Sequence, residues 1–201
     1  MHRSNNVSIG YEALSIDLNK VWCRFTSMNA DELIDFIENR RSVRSYKPDM
    51  IPDDIIGKII EAGTYAATGM GKQSPIIIAV KDKSTRDRLS KLNAEILGAD
   101  IDPFYGAPVV LIVLADRSIP THVYDGSLVM GNLMLAAHAL GIGSCWIHRA
   151  KEEFERPEGK EILEELGIEG DYEGIGHCIL GFVEGEYPDA KPRKENWTYT
   201  V

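Results

Sequence analysis

The hydrophobic positions of this chain fall into two patterns, helical spacing and short unbroken apolar runs. Helical spacing predicts helices that begin at Asn29, Pro52, Ser84 and Val123, followed by two short charged helices over residues 152–156 and 160–166. Unbroken apolar runs predict buried strands over residues 76–80, 109–114, 143–147 and 175–183. This mixed order predicts an α+β, or mixed α/β, domain with at least four strands and about five helices.

Capping signals sharpen the helix ends. Glu32 follows Asn29 by three residues, which is the spacing of a capping box. Ser84 is expected to cap the third helix and Gly98 to end it. The fourth helix, from about Val123 to Leu140, is apolar nearly all round. That pattern is typical of a helix in an interior or in a subunit interface.

Composition and charge exclude several classes of protein. The 201 residues are 44% hydrophobic and 26% charged, as expected for a soluble globular domain. The net charge of −9 argues against nucleic acid or an anionic membrane as a partner. No apolar run reaches the roughly 18 residues of a membrane helix. Three cysteines without a Cys-x-x-Cys pair predict a cytoplasmic location, and the scattered histidines predict no metal site.

The two ends of the chain differ from its middle. Residues 1–27 lack a sustained pattern of hydrophobic positions and are expected to be an N-terminal extension. Either this extension is a weakly ordered arm, or the native protein starts at Met28 and these residues lie upstream of it. Residues 28–201 form the predicted domain. From about residue 184 the chain is polar and contains prolines, which predicts a C-terminal arm outside the core.

Two basic clusters stand out against this acidic background. Residues 40–44, here called the arginine motif, have the sequence Arg-Arg-Ser-Val-Arg, and residues 191–194 have the sequence Lys-Pro-Arg-Lys. Guanidinium groups bind phosphate oxygens two at a time, so the clusters predict a site for a phosphate-bearing small molecule. The alternative is a solvated basic turn that pairs with surface carboxylates, and such pairs are weak.

A glycine-containing segment over residues 68–74, here called the glycine loop, resembles a nucleotide-binding loop only superficially. It lacks the P-loop pattern because Gln73 follows Gly-Lys. Thr68, Lys72 and Gln73 offer both donors and acceptors, which suit the polar edge of a heterocycle. The alternative is an ordinary connection between a helix and a strand.

The segment over residues 141–149 is a second candidate. It fails the dinucleotide-binding pattern because Trp146 occupies the place of the last glycine. His148 follows a predicted strand, and we interpret it as a surface histidine rather than a proton donor. Because no Ser-His-Asp set or carboxylate pair stands out, an enzyme of this sequence would rely on a cofactor for its chemistry.

Taken in this order, the segments resemble the FMN-dependent nitroreductase family. Residues 40–46 match its Arg-Arg-Ser-x-Arg-x-Tyr/Phe motif, residues 67–75 its Pro-Ser-x-x-Asn-x-Gln-Pro-Trp loop, residues 141–147 its Gly-x-Gly-Ser-Cys-Trp-Ile-type strand, and residues 191–194 its terminal basic motif. The loop departs from the pattern. Gly71 stands where many relatives have Asn, and Ser74-Pro75 replaces Pro-Trp.

The resemblance implies a three-layer fold, with a central, mostly antiparallel sheet flanked by helices, in an intertwined homodimer that holds FMN between subunits. The residues implied to bind FMN are Arg40, Arg41, Ser42, Arg44, Thr68, Gln73, Ile147, His148, Arg149, Lys191 and Arg193. In this assignment Arg40, Arg41 and the C-terminal cations serve the phosphate. Residues 147–149 offer backbone amides to the flavin. No side chain is singled out as catalytic, although Arg44 and Lys72 are expected to give electrostatic support.

The activity implied by the resemblance is a ping-pong oxidoreductase reaction. NADH or NADPH would be the transient electron donor, and a nitroaromatic, a quinone or a similar electron-poor small molecule would be the acceptor. Two alternatives remain open on this fold. One is a flavin-modifying or dehalogenating enzyme, and the other is a flavin-binding or redox-sensing protein with little turnover.

Overall fold

A computed structural model describes residues 29–201 of the chain. The extension predicted for residues 1–27 lies outside the described residues. The chain divides into two compact units between Glu38 and Asn39. In the first unit the predicted capping box is confirmed, because the Glu32 N–H donates to Asn29 Oδ1 (2.9 Å) and the Asn29 N–H donates to Glu32 Oε2 (2.7 Å).

The elements follow the predicted order. The helices are α1 (Ala30–Asn39), α2 (Asp53–Thr64), α3 (Lys83–Leu97), α4 (His122–Ala139), α5 (Ala150–Glu155) and α6 (Pro157–Glu165). The strands are β1 (Pro75–Val80), β2 (Val109–Asp116), β3 (Gly143–Ile147) and β4 (Tyr172–Gly181). A short 3-10 turn, Gly69–Gly71, lies between α2 and β1. Among the described residues, no helix is long and apolar enough to cross a membrane.

The four strands form one sheet in the order β1-β2-β4-β3, and every neighbouring pair is antiparallel. The predicted antiparallel sheet is therefore confirmed. Strand β4 begins earlier than predicted, at Tyr172, and ends at Gly181 rather than Val183. A bulge shifts its register with β2 between Val113 and Leu114, and the pairing continues beyond the bulge to Tyr172. The extra residue at the bulge is Ile175, and it lies against Gly126 of α4.

Helices cover both faces of the sheet, which gives three layers. Alternate residues of β2 point to opposite faces, as the pleat requires. Ile112 joins a core with Leu89 of α3 and Phe154 of α5. Leu111 joins a second core with α2 and α4, to which Met130 belongs. The unbroken apolar sequence of β2 thus has the predicted cause, burial on both faces.

Helix α3 corrects one predicted cap. Its N-cap is Asp82 rather than Ser84, and the Asp82 carboxylate accepts the Thr85 N–H at 2.8 Å. The Ser84 hydroxyl donates to the same carboxylate at 2.6 Å. A charged acceptor at this position also interacts favourably with the helix dipole. The predicted end at Gly98 is confirmed by its left-handed φ of 72°.

Candidate functional site

The segment that carries the arginine motif runs beside the start of β3. Ser42 forms a bridge with Ser144, and the Val43 N–H donates to the Ser144 carbonyl at 2.9 Å. The side chains of Val43 and Tyr46 are buried, and the Tyr46 hydroxyl donates to the Val43 carbonyl at 2.6 Å. Backbone pairing and two buried anchors therefore fix this segment at one end of the sheet.

Two cations of the motif, Arg40 and Arg44, have few partners among the described residues, and the Arg44 NH1 atom donates to the Ser42 carbonyl at 3.4 Å. Arg40 is half-buried, and its NH1 atom is fully buried without a hydrogen-bond partner among residues 29–201. Arg44 is exposed and lies over the ring of Tyr105, 5.9 Å from its centre. Within the described residues, neither Arg40 nor Arg44 pairs with a carboxylate. This counts against the alternative of an ion-paired basic turn.

The neighbouring thiol is not a candidate nucleophile. Cys145 lies on β3 near Arg44 and Arg40, and its side chain is buried. Burial raises the pKa of the Cys145 thiol despite these cations. The neutral thiol is therefore favoured at this position, and it is the thiolate that reacts.

The C-terminal arm is attached beside the arginine motif. The Tyr187 hydroxyl accepts the Arg41 N–H at 2.9 Å and lies 3.2 Å from His138 Nδ1. The rings of Tyr187 and His138 stack with their centres 5.9 Å apart. Lys191 follows Tyr187 by four residues, so even a fully extended chain keeps it within about 14 Å. The structure thus tethers the second basic cluster to the end of the sheet that holds the first.

Beyond Tyr187, the arm is exposed. Lys191 and Arg193 both face solvent, and the Arg193 Nε and NH2 atoms donate to the Lys191 carbonyl at 3.3 and 2.7 Å. Sequence reasoning missed the attachment made by Tyr187 and His138. No local pattern marks it, because the two residues are far apart in the chain and meet only after folding.

The glycine loop is anchored by one buried carboxylate of α4. Asp125 is 2% exposed, and it accepts the Gly69 N–H at 2.9 Å and the Ser74 hydroxyl at 2.8 Å. Although burial favours the neutral acid, these donors hold the pKa of Asp125 below its ordinary value. Gly69 fits because any Cβ would lie 2.2 Å from Thr121 Oγ1.

The backbone of the glycine loop is unusual. Met70, Gly71 and Gln73 all have positive φ angles, of 53°, 66° and 51°. Gly71 therefore occupies a left-handed position, which both glycine and asparagine accept, so the Asn of the family pattern would fit this backbone as well. Thr68 Oγ1 accepts the Gln73 N–H at 3.1 Å, while the side chains of Lys72 and Gln73 are exposed.

The third group of predicted residues closes β3. Ile147 is buried, His148 is exposed as predicted, and Arg149 has a left-handed φ of 79°. His148 and Arg149 form the β3–α5 turn. A pocket of about 700 Å³ opens beside it, and its lining includes Ser127 of α4 and Trp146 of β3. Its size falls in the range of small-molecule sites.

The structure separates the glycine loop from the arginine motif. The Ser74 carbonyl accepts the N–H of Asp116 at one end of β2, while the Lys47 N–H donates to Phe182 beyond the other end. Along the strands, the seven steps of β2 (Val109–Asp116) put about 23 Å between the two ends of the sheet. Across the sheet, the three spacings from β1 to β3 add about 14 Å. The arginine motif and the β3–α5 turn, by contrast, share β3.

Comparisons with known proteins agree with these motifs. The sequence model of the Nitroreductase family matches residues 37–101 and 99–182. A protein of Archaeoglobus fulgidus, provisionally named NADH dehydrogenase/NAD(P)H nitroreductase, is 31% identical over 161 residues, which cover 78% of this chain and 88% of that protein. A protein of the same name from Methanothermobacter thermautotrophicus is 29% identical over 57% of this chain, and the match spans 60% of that protein.

A solved structure extends the likeness to the fold. The crystal structure of a nitroreductase with bound FMN from Bacteroides fragilis superposes with a TM-score of 0.77 at 28% sequence identity. The superposition covers 85% of this chain and 98% of that one. The predicted three-layer fold is therefore confirmed for one chain.

Proposed function

Because this chain belongs to the nitroreductase family, we propose that it is an FMN-dependent oxidoreductase. NADH or NADPH is the electron donor in this proposal, and an electron-poor small molecule such as a nitroaromatic or a quinone is the acceptor. The names of the relatives support the donor, and the Bacteroides fragilis nitroreductase supports the cofactor. Bound FMN would supply hydride acceptance and donation, which side chains alone do not provide.

The observation that carries the proposal is that Arg40 and Arg44 lack a carboxylate partner among the residues that the structure describes. Both cations lie near Cys145, and the buried NH1 atom of Arg40 has no hydrogen-bond partner among residues 29–201. A buried polar atom without a partner is costly, and a phosphate oxygen would satisfy it with a charge-assisted bond. Lys191 and Arg193 on the tethered arm would add to the phosphate site.

The residues proposed for the ring end have the chemistry that a flavin edge requires. Thr68 and Gln73 offer a hydroxyl and a carboxamide, and Ile147, His148 and Arg149 offer backbone amides. Arg44 would approach the pyrimidine edge, and Ser42 would be a further contact to FMN. Arg44 and Lys72 would stabilise the negative charge of the reduced cofactor, because cations that are in place before the reaction lower its electrostatic cost.

We further propose that two copies of the chain share each site. Within one chain, the arginine motif and the glycine loop lie at opposite ends and opposite edges of the sheet. A second copy that supplies the glycine loop would bring both groups to one flavin. Helix α4 supports such an arrangement, because Tyr124 and Leu128 on its outer side are 73% and 51% exposed.

The acceptor is proposed only as a class. The pocket beside the β3–α5 turn is wide, and its lining mixes the aromatic Trp146 with charged residues such as Lys151 and Glu173. Trp146 would offer a planar acceptor an aromatic surface. The buried free thiols of Cys145 and Cys178 support the proposed cytoplasmic location.

An absorbance spectrum and an oxidation assay test this function. The purified protein is expected to bind FMN and to oxidise NADH or NADPH in the presence of menadione or a nitroaromatic. Bound FMN that neither nucleotide reduces would favour a flavin-binding or redox-sensing protein. A protein that binds no FMN would refute the proposal and leave a phosphate-binding module without a flavin.

A further inference from the structure

Three fully buried polar side chains form a cluster behind the β3–α5 turn. Asn93 of α3, Glu153 of α5 and His177 of β4 are each 0% exposed. His177 Nε2 lies 2.9 Å from Glu153 Oε2, close enough for an ion pair but not aligned as a hydrogen bond. Asn93 Nδ2 donates to Glu153 Oε1. Burying such groups is costly, and apolar side chains of the same volume often stabilise a fold equally well.

The cluster is directed at the turn. Asn93 Nδ2 also donates to the His148 carbonyl at 2.9 Å, and Asn93 Oδ1 accepts the Arg149 Nε–H at 2.8 Å. His177 lies directly opposite Ile147 in the β3–β4 register. All three residues of the 147–149 segment are therefore held, one by strand pairing and two by the amide of Asn93.

Arg149 shows what this support achieves. Its φ of 79° is a left-handed conformation that non-glycine residues rarely adopt. Such a conformation persists only where the surroundings determine it, and residues of this kind concentrate at functional sites. Here the surroundings are the Asn93 amide and the short helix α5 that starts after Arg149.

We propose that Asn93 and Glu153 are positioning residues for the flavin-facing backbone: Asn93 binds the turn directly, and Glu153, which lies beside His177, holds the Asn93 amide in place. They hold residues 147–149 in one conformation and so set how this segment meets the flavin. The inference rests on the proposed function, since it assigns a role toward the same cofactor. A purely structural role is the competing explanation, and it predicts that substitutions here change stability but leave the bound flavin unaltered.

The first experiment needs no flavin. Asn93→Leu removes all three hydrogen bonds of the amide at nearly constant volume. Amide hydrogen exchange in flavin-free protein is expected to accelerate at least about tenfold at residues 147–150 and to stay unchanged in β1. The matched control is Asn132→Leu, because Asn132 donates to the Ala62 carbonyl at 3.1 Å, away from the turn. Equal exchange at residues 147–150 in parent and Asn93→Leu would overturn the proposal.

A second variant covers the case in which Asn93→Leu fails to fold. Arg149→Met removes the Nε donor from a half-exposed side chain and leaves the buried cluster intact. It is expected to produce the same local acceleration of exchange, to a smaller degree. Unchanged exchange in this variant would remove Arg149 from the network.

The second experiment uses FMN-loaded protein. The reduction potential and the visible absorption maximum of bound FMN are expected to shift in Asn93→Leu and Arg149→Met, but not in Asn132→Leu. FMN affinity should fall less than in Arg40→Ala, since the arginine motif is untouched. Altered exchange with an unaltered potential and spectrum would overturn the link to the flavin. A parent protein that binds no FMN would refute the proposed function, whereas the exchange experiment would still decide whether the cluster holds the turn.

Discussion

The two ends of the candidate site are held in different ways. The glycine loop and the β3–α5 turn are each fixed by a buried polar side chain, Asp125 in one case and Asn93 in the other. The segment of the arginine motif is fixed instead by backbone pairing and by the buried side chains of Val43 and Tyr46, and the exposed C-terminal arm is attached by Tyr187. In the proposed site, the ring end is therefore arranged before a ligand arrives, whereas the buried NH1 donor of Arg40 at the phosphate end would gain its partner from the ligand.

This difference predicts that the largest effect on stability comes from the buried anchor. Asp125→Ala leaves the Gly69 N–H and the Ser74 hydroxyl without their acceptor. The free energy of unfolding should fall by about 3 kcal/mol, since hydrogen bonds to charged groups contribute about 1.5–3 kcal/mol each. Chemical denaturation measures the effect. Asp53→Ala is the control, because its exposed ion pair with Lys81 contributes at most about 1 kcal/mol.

Lowering the pH should remove the contribution of Asp125 to the free energy of unfolding. Its pKa lies below the ordinary value in the folded protein, so its stabilising effect is complete above the unfolded pKa of about 4 and is lost as the pH falls through the folded pKa. The difference in stability between the parent and Asp125→Asn should shrink below about pH 4. A difference that grows on acidification would contradict the assigned charge state of Asp125.

The next largest effect is expected on the affinity for FMN, at the arginine motif. Arg40→Ala should weaken FMN binding by about 1.5–3 kcal/mol, or about tenfold to a hundredfold in Kd, because it removes a charge-assisted hydrogen bond. Fluorescence titration of FMN measures this. Arg88→Ala serves as the control, since Arg88 lies on α3 and pairs only loosely with Glu165, at 3.8 Å. Equal affinity in parent and Arg40→Ala would exclude Arg40 from the phosphate site.

The smallest predicted effect tests the tether of the arm. Tyr187→Phe keeps the ring stacked on His138 but loses the acceptor for the Arg41 N–H. FMN binding should weaken by about 0.5–1.5 kcal/mol, the net value of one hydrogen bond. Tyr199→Phe in the same arm is the control, because Tyr199 is 85% exposed. If both variants bind FMN alike, the tether does not support the site.

Local patterns were sufficient to predict most of the fold. Strand β2 was recognisable because burial on both faces requires an unbroken apolar run, and the Asn29–Glu32 box marked the start of α1. The early start of β4 was missed because its pairing with β2 continues beyond the bulge, and pairing joins distant parts of the chain. The cap of α3 was misplaced because two capping residues, Asp82 and Ser84, lie close together.

The buried polar residues that hold the site in place were harder to predict. The residues proposed to meet the cofactor were predicted from the sequence, whereas Asp125, Asn93 and His177 were not. A weak signal existed for two of them, since Asp125 interrupts an apolar helix and His177 interrupts an apolar strand. A polar group at such a position must find a partner when it is buried. Which partner it finds depends on packing between distant elements, so the sequence alone did not reveal it.

The measurement that tests the central claim most directly is complementation between two defective chains. One chain carries Arg40→Glu and Arg41→Glu, and the other carries Thr68→Trp and Gln73→Trp, so neither homodimer should retain FMN. If each site takes its arginine motif from one chain and its glycine loop from the other, a mixed dimer contains one site with both defects and one with none. We therefore expect mixed dimers, purified by two different tags, to recover FMN in half of their sites. Mixed dimers as empty as either homodimer would contradict the shared site.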